Sequence, residues 1–166
     1  MKTSRQTHYP AGIYHVTWVT HHSRISQRMI DHHVKKESGI YLDEKAEIKI
    51  TEILGGLVRE NSYTVYAYNI CGDHVHMLIE CEEDKVSDMV RRLKGKSAQL
   101  YRECLGGKAK NPFHLWAQKF NKWLMQSDDQ LRHTMEYILC NRAKHHLPKN
   151  KRLKPLVSQF LSTYHG

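Results

Sequence analysis

The feature that most limits what this chain can fold into is a pair of apolar runs, Tyr63 to Ile70 and Met77 to Cys81, joined by Cys71-Gly72-Asp73-His74-Val75-His76. The Gly-Asp pair favours a tight reversal between runs that read as strands, so the segment predicts a hairpin. Period-two alternation past the turn puts His74, His76, Leu78 and Glu80 on one face, and Val75, Met77, Ile79 and Cys81 on the other. Two imidazoles at neighbouring same-face positions of a rigid strand can grip one cation between them. Against this stands a plainer reading. The chain has 13 histidines, so a His-x-His arises easily by chance, and histidine is commonly a satisfied, half-buried polar residue. Cys71 would extend the pair to a structural zinc site, but that set lacks a fourth ligand nearby.

Strands and helices around this hairpin follow from local pattern. Ile13 to Thr20 is β-branched and aromatic and predicts a first strand. His21 to Tyr41 reads as an irregular basic arm. Asp43 to Ser62 carries Ile50, Ile53, Leu54, Leu57 and Val58 at helical spacing, with Lys49, Glu52, Arg59 and Glu60 on the wet side. A second helix, capped by Asp84 or Ser87, runs to Cys104 on the stripe Val86, Met89, Val90, Leu93, Ser97, Leu100 and Tyr101. Gly106 to Pro112 is a basic loop. Phe113 to Met125 supplies a fourth strand. Its Trp116, Phe120 and Trp123 alternate with Lys119 and Lys122, a pattern that suits stacking of unpaired bases, although Trp116 reads better as core. A third helix starts at Ser127 or Asp128 and ends near Lys144. The order β-α-β-β-α-β-α predicts an α+β fold: a ferredoxin-like (RRM-like) antiparallel sheet with helices packed on one face, plus a C-terminal helix.

With 166 residues the chain is long enough for one domain with a core of its own. The N-terminus has no apolar signal segment and no run is long enough to span a membrane, so no membrane partner is expected. Cys71, Cys81, Cys104 and Cys140 lack paired spacing and are expected as reduced thiols in a cytoplasm. The net charge of +9 favours a polyanion, and nucleic acid above all. Arg91, Arg92, Lys94 and Lys96 crowd the second helix without an intervening acid. Such a run is usually a solvated face, but it equally suits phosphate contacts.

On the third helix Leu131, Met135 and Ile138 form the apolar stripe, while His133, Tyr137, Asn141 and Lys144 form a separate row. A tyrosine in mid-helix is more often the edge of a core than a catalyst; the polar company of Tyr137 weighs against that. Asn141 lies one turn beyond it, so its amide oxygen can approach any cation that Tyr137 approaches.

Taken together, His74-Val75-His76 resembles the histidine-hydrophobe-histidine motif of the HUH single-strand endonucleases. Tyr137 and Asn141 resemble the catalytic helix of the single-tyrosine transposases of the insertion-sequence 200/605 type. Tyr137-Ile-Leu-Cys-Asn141-Arg-Ala-Lys144 is most similar to the REP-associated branch, which reads Tyr-Ile-x-x-Asn-Pro-Val-Lys. Trp116-Ala-Gln118 is similar to that branch's tryptophan-glutamine segment. Arg142 and Ala143 stand in place of Pro-Val, which predicts a helix that runs on where relatives turn.

The resemblance implies a domain over 1–146 followed by a basic tail, 147–166. It implies a nuclease and strand transferase in which Tyr137 is the nucleophile and His74, His76 and Asn141 hold Mg2+ or Mn2+. The DNA would be single-stranded and hairpin-bearing, and the active species a possible homodimer; the net charge and the acid-free basic run make Arg91, Arg92, Lys94 and Lys96 the first candidates to contact it, with Lys144. A replication initiator or relaxase, or a nucleic-acid-binding module that no longer cuts, are the alternatives.

Overall fold

The computed structural model describes residues 11–23, 30–32, 39–109 and 113–166. The basic arm expected over His21 to Tyr41 lies largely outside them. The hairpin forms as predicted: β2 (Thr64–Cys71) and β3 (His74–Glu82) pair antiparallel about the Gly72-Asp73 turn. Gly72 adopts φ +53, the left-handed region that an L side chain enters only at a cost, and a Cβ there would meet the Tyr41 ring at 2.4 Å. Its amide donates to the buried carboxylate of Glu47 at 2.8 Å. The turn therefore requires glycine for conformation and for space.

β1 (Ala11–Val19) pairs antiparallel with β3, and β4 (Asn121–Leu124) pairs antiparallel with β1, giving the order β2-β3-β1-β4. Alternation then sorts the sheet into two faces. Val75, Met77 and Ile79 join Val16 and Trp18 in the main core, covered by α1 (Glu44–Glu60) and α2 (Val86–Leu105). The amphipathic stripes predicted for both helices are the buried ones. Asp43 caps α1 by accepting from the Ala46 amide at 2.8 Å. At α2 the expected caps are not used. A 3₁₀ turn over Glu83–Lys85 leads in, and no side chain caps the helix.

The other face belongs to α3 (Asp128–Lys144), capped by Ser127, whose hydroxyl accepts from the Gln130 amide at 3.1 Å. Leu131 and Ile138 pack on Ala67 and Leu78 in a second, smaller core. The Asn69 amide also donates to the Ile138 carbonyl at 2.7 Å, a bond between β2 and the middle of the helix. The sheet thus has helices on one face, as expected, and among the described helices only the tyrosine helix on the reverse.

Residues beyond α3 are well held. α4 (Leu153–Ser158) and Phe160 lie against α1, where Gly55 lets the ring approach so closely that a Cβ would sit 2.6 Å from it. The Ser162 amide then donates to the Val65 carbonyl at the free edge of β2, and the Tyr164 hydroxyl donates to Asp128 at 2.7 Å on the opposite face. The tail wraps the β2 edge, which covers backbone groups otherwise open to strand addition. Tyr164 closes this wrap. Truncating buried Phe160 removes a ring packed on Tyr68 as well as Gly55. Phe160→Ala should lower stability by about 3 kcal/mol in urea unfolding; an unchanged midpoint would show that the tail does not belong to the core.

Candidate active site

Because β3 is covered on both faces, its histidines are buried: His74 is 6% exposed and His76 7%. Burial of imidazole demands partners. His74 Nδ1 lies 2.6 Å from Asp73 Oδ1, and its Nε2 lies 2.8 Å from Asn141 Oδ1. His76 Nδ1 lies 3.0 Å from His15 Nε2, a diagonal pair across β1 and β3. Sequence reasoning left His15 inside a strand and assigned it no role. Its signal was available, since it shares the period-two face of β1 with Ile13 and Thr17, but only the register shows that this face meets His76.

Tyr137 stands over this layer. Its ring is 5.6 Å from that of His76 and 6.3 Å from that of His15, nearly perpendicular to the first, and the residue is 38% exposed. The Lys144 ammonium lies 4.6 Å from the Tyr137 ring centre. His145 at the end of α3 packs its ring 4.8 Å from that of His74. His74, His76, Tyr137, Asn141 and Lys144 are thus brought together.

The second-helix cations are not part of this cluster, because α2 covers the opposite face of the sheet. Arg91, Arg92 and Lys96 are exposed there. Lys94 must be withdrawn from the phosphate-binding set. It is 8% exposed, and its ammonium donates to the Gln118 and Lys119 carbonyls at 2.9 and 3.1 Å. Burial lowers its pKa to about 8. Its helical position faces inward, and a long side chain there can satisfy itself only on backbone.

The donor set fits a cation. With Asp73 accepting the Nδ1 proton, His74 turns an Nε2 lone pair towards the amide oxygen of Asn141, so two acceptors face each other. The Asn141 Nδ2, fully buried, has no hydrogen-bond partner. Asp73 and His15 orient the two imidazoles as outer carboxylate and imidazole partners orient metal ligands. Among the described residues no group of three His, Cys, Asp or Glu side chains could hold a metal; the set here is two histidines and an amide oxygen. The Cys71 thiol instead donates to Asn141 Oδ1 at 3.3 Å, and burial pushes its pKa up to about 12.

Arg142 explains how Asn141 is held. The helix does run on to Lys144. The Arg142 guanidinium bonds Glu47 on α1 at 2.7 Å, the Ile70 carbonyl of β2 at 2.9 Å and the Pro148 carbonyl at 3.0 Å. Glu47, 3% exposed, also holds the Gly72 amide, so one ion pair links the turn before His74 to the residue after Asn141.

This fold is shared with tyrosine transposases. A REP-associated tyrosine transposase bound to a REP hairpin superposes with TM-score 0.55 at 18% identity, over 87% of this chain and 74% of that one. A Deinococcus radiodurans protein described as a transposase gives TM-score 0.51 at 23% identity, over 84% and 96%. The chain belongs to the IS200-like transposase family, whose profile matches residues 9–141. Family membership implies DNA cleavage and strand transfer in general terms. Among curated proteins none matches by sequence. Among the described residues no helix is long and apolar enough to cross a membrane.

Two outcomes are expected. Arg142→Ala strands the Glu47 carboxylate in the interior and should lower stability by about 3 kcal/mol in chemical unfolding. Burial lowers the pKa of His15 to about 4 and, with smaller contributions from neighbouring His74, His15, His145 and Lys144, that of His76 to about 3. Unfolded imidazoles take up protons near about pH 6.5, before the folded ones do, so stability should be full above that pH and fall as pH drops towards about 4. Unfolding midpoints at about pH 7 and about pH 5 check this, and His15→Gln should flatten the dependence.

Proposed function

We propose that this protein cuts and rejoins single-stranded DNA by transesterification, with Tyr137 as the nucleophile. The observation that carries the reading is the convergence, in a chain of the IS200-like transposase family, of His74 Nε2 and Asn141 Oδ1 at 2.8 Å beneath the paired rings of His76 and Tyr137. A divalent cation, Mg2+ or Mn2+, bound by His74, His76 and Asn141 would supply Lewis-acid polarisation of a phosphate oxygen and orient the scissile bond. When Asp73 and His15 accept the Nδ1 protons of His74 and His76, each imidazole keeps its Nε2 lone pair for ligation.

The Tyr137 oxygen attacks phosphorus and forms a 5′-phosphotyrosine bond, while the bond to the preceding 3′ oxygen breaks and leaves a free 3′-hydroxyl. The phenol proton departs to water, and Lys144 keeps a positive charge against the ring where negative charge develops. One phosphodiester is exchanged for another, so attack by a 3′-hydroxyl on the phosphotyrosine rejoins strands without a nucleoside triphosphate.

A hairpin-bearing strand is the substrate we favour, supported by the REP hairpin in the neighbouring transposase complex. Lys144 beside the tyrosine, and Arg91, Arg92 and Lys96 on the far face of the sheet, are the cations assigned to phosphate. DNA touching both sets must extend past an edge of the sheet.

On a labelled hairpin-bearing strand with manganese, the wild-type protein should form a covalent adduct. Tyr137→Phe should form none while still binding the strand, and His76→Ala should slow adduct formation by about 10²-fold or more. A Tyr137→Phe variant that is still captured on the strand would remove Tyr137 from this role.

A further inference from the structure

One of the three tryptophans stands apart from the core. Trp18 and Trp116 are buried at 1% and 7% exposure, and the Trp116 indole nitrogen donates to Ser97. Trp123, on the edge strand β4, is 49% exposed. A large amphipathic ring held half in water on a rigid strand is of the kind that binding surfaces use, with something to cover it. Its position in the sheet says what that is.

Trp123 is the register partner of His15, so both point to the face of the sheet that carries the histidine pair. Their rings are 5.4 Å apart. His15 in turn stacks on His76 at 5.2 Å and 26°, and His76 meets His74 at 4.9 Å. The four rings make an unbroken row from the open edge of the sheet to the buried donor set. Above Trp123 and His15 an open groove of about 630 Å³ runs between β4 and α3, walled on the helix side by Gln130, His133, Thr134 and Tyr137. Its size is that of a small-ligand site.

We propose that Trp123 and His15 form a stacking platform for one unpaired base of the DNA strand, adjacent to the phosphate that Tyr137 attacks. The inference rests on the reading of Tyr137 given above and extends it to the nucleotide beside the reacting one. Trp123 and His76 lie two strand spacings apart, about 10 Å. A base laid on the indole therefore brings its neighbouring phosphate towards His76 and the tyrosine. Stacking also accounts for an aromatic floor, since every base has a π-face and the contact does not require a particular sequence. A paired base cannot lie flat on the ring, so the platform selects unpaired DNA. The same stacking holds the strand still while the phosphate is in line with the tyrosine oxygen.

The test uses the full chain, an oligothymidine, and a strand of the same length whose sugars carry no bases. Indole emission of the wild type should be quenched by the oligothymidine and not by the baseless strand. Trp123→Ala should abolish the quenching and weaken oligothymidine binding by about 5- to 100-fold at fixed salt. Its affinity for the baseless strand should stay at the wild-type value, and Trp123→Phe should keep most of the oligothymidine affinity. Oligothymidine binding by Trp123→Ala as tight as wild type, or an equal loss on both strands, would overturn the platform. So would a wild-type protein whose indole emission ignores oligothymidine, as when a second copy or another protein covers that edge. Tyr137→Phe should be quenched like the wild type. Failure of the nucleophile assignment would therefore appear in adduct formation and leave quenching intact, whereas failure of the platform would do the reverse.

Discussion

Every residue from His74 to Ile79 is buried, so β3 has no face in water and each side of it must be covered by different structure. Val75, Met77 and Ile79 are met by α1 and α2, while Leu78 is met by Leu131 and Ile138 of α3. That second contact is small, and it brings the tyrosine helix onto the histidine face. Where the apolar stripe of α3 runs out, beyond Ile138, the next inward position is Asn141, which lands on His74. The polar layer is a consequence of apolar packing one turn earlier. Buried imidazoles and a buried amide are thereby brought together, with the Asn141 Nδ2 left without a hydrogen-bond partner.

The ion pair between Glu47 and Arg142 sets the register of that meeting. A buried charge pair adds little net stability compared with well-packed apolar residues, but it tolerates few alternative arrangements. Here it ties α1, the Gly72 amide, the Ile70 carbonyl and the end of α3 to one point. A proline in place of Arg142 would end the helix and leave Glu47 without its cation. The departure from the family pattern at Arg142 is thus matched by a partner elsewhere in this chain, and the extra helical turn carries Lys144 to its place over the Tyr137 ring.

The tail serves a related purpose on the other side. Phe160 fills the space left by Gly55, and Tyr164 reaches Asp128 at the start of α3. The same helix is therefore anchored at its first turn by the chain's last residues and at its last turn by Arg142. Tyr137 lies between these anchors, exposed but not loose.

Local pattern alone was enough for the hairpin, the amphipathic stripes of α1 and α2 and the pairing of His74 with His76 on one face, while of the strand expected over Phe113 to Met125 only Asn121–Leu124 forms. These depend on periodicity and turn chemistry between near neighbours, which a sequence carries directly. Lys94 was misread because a cation in a basic run looks solvated until the backbone it bonds, at Gln118 and Lys119, is brought beside it. Glu47 had no place in the pattern read for α1, and His15 was only one residue of a strand. Their partners, Arg142 and His76, lie far away in the chain. Which face α3 covers, which histidine meets which amide, and which tryptophan stays exposed are settled by strand order and helix docking. Those are long-range contacts, fixed only when the whole buried surface of the sheet is shared out among the helices.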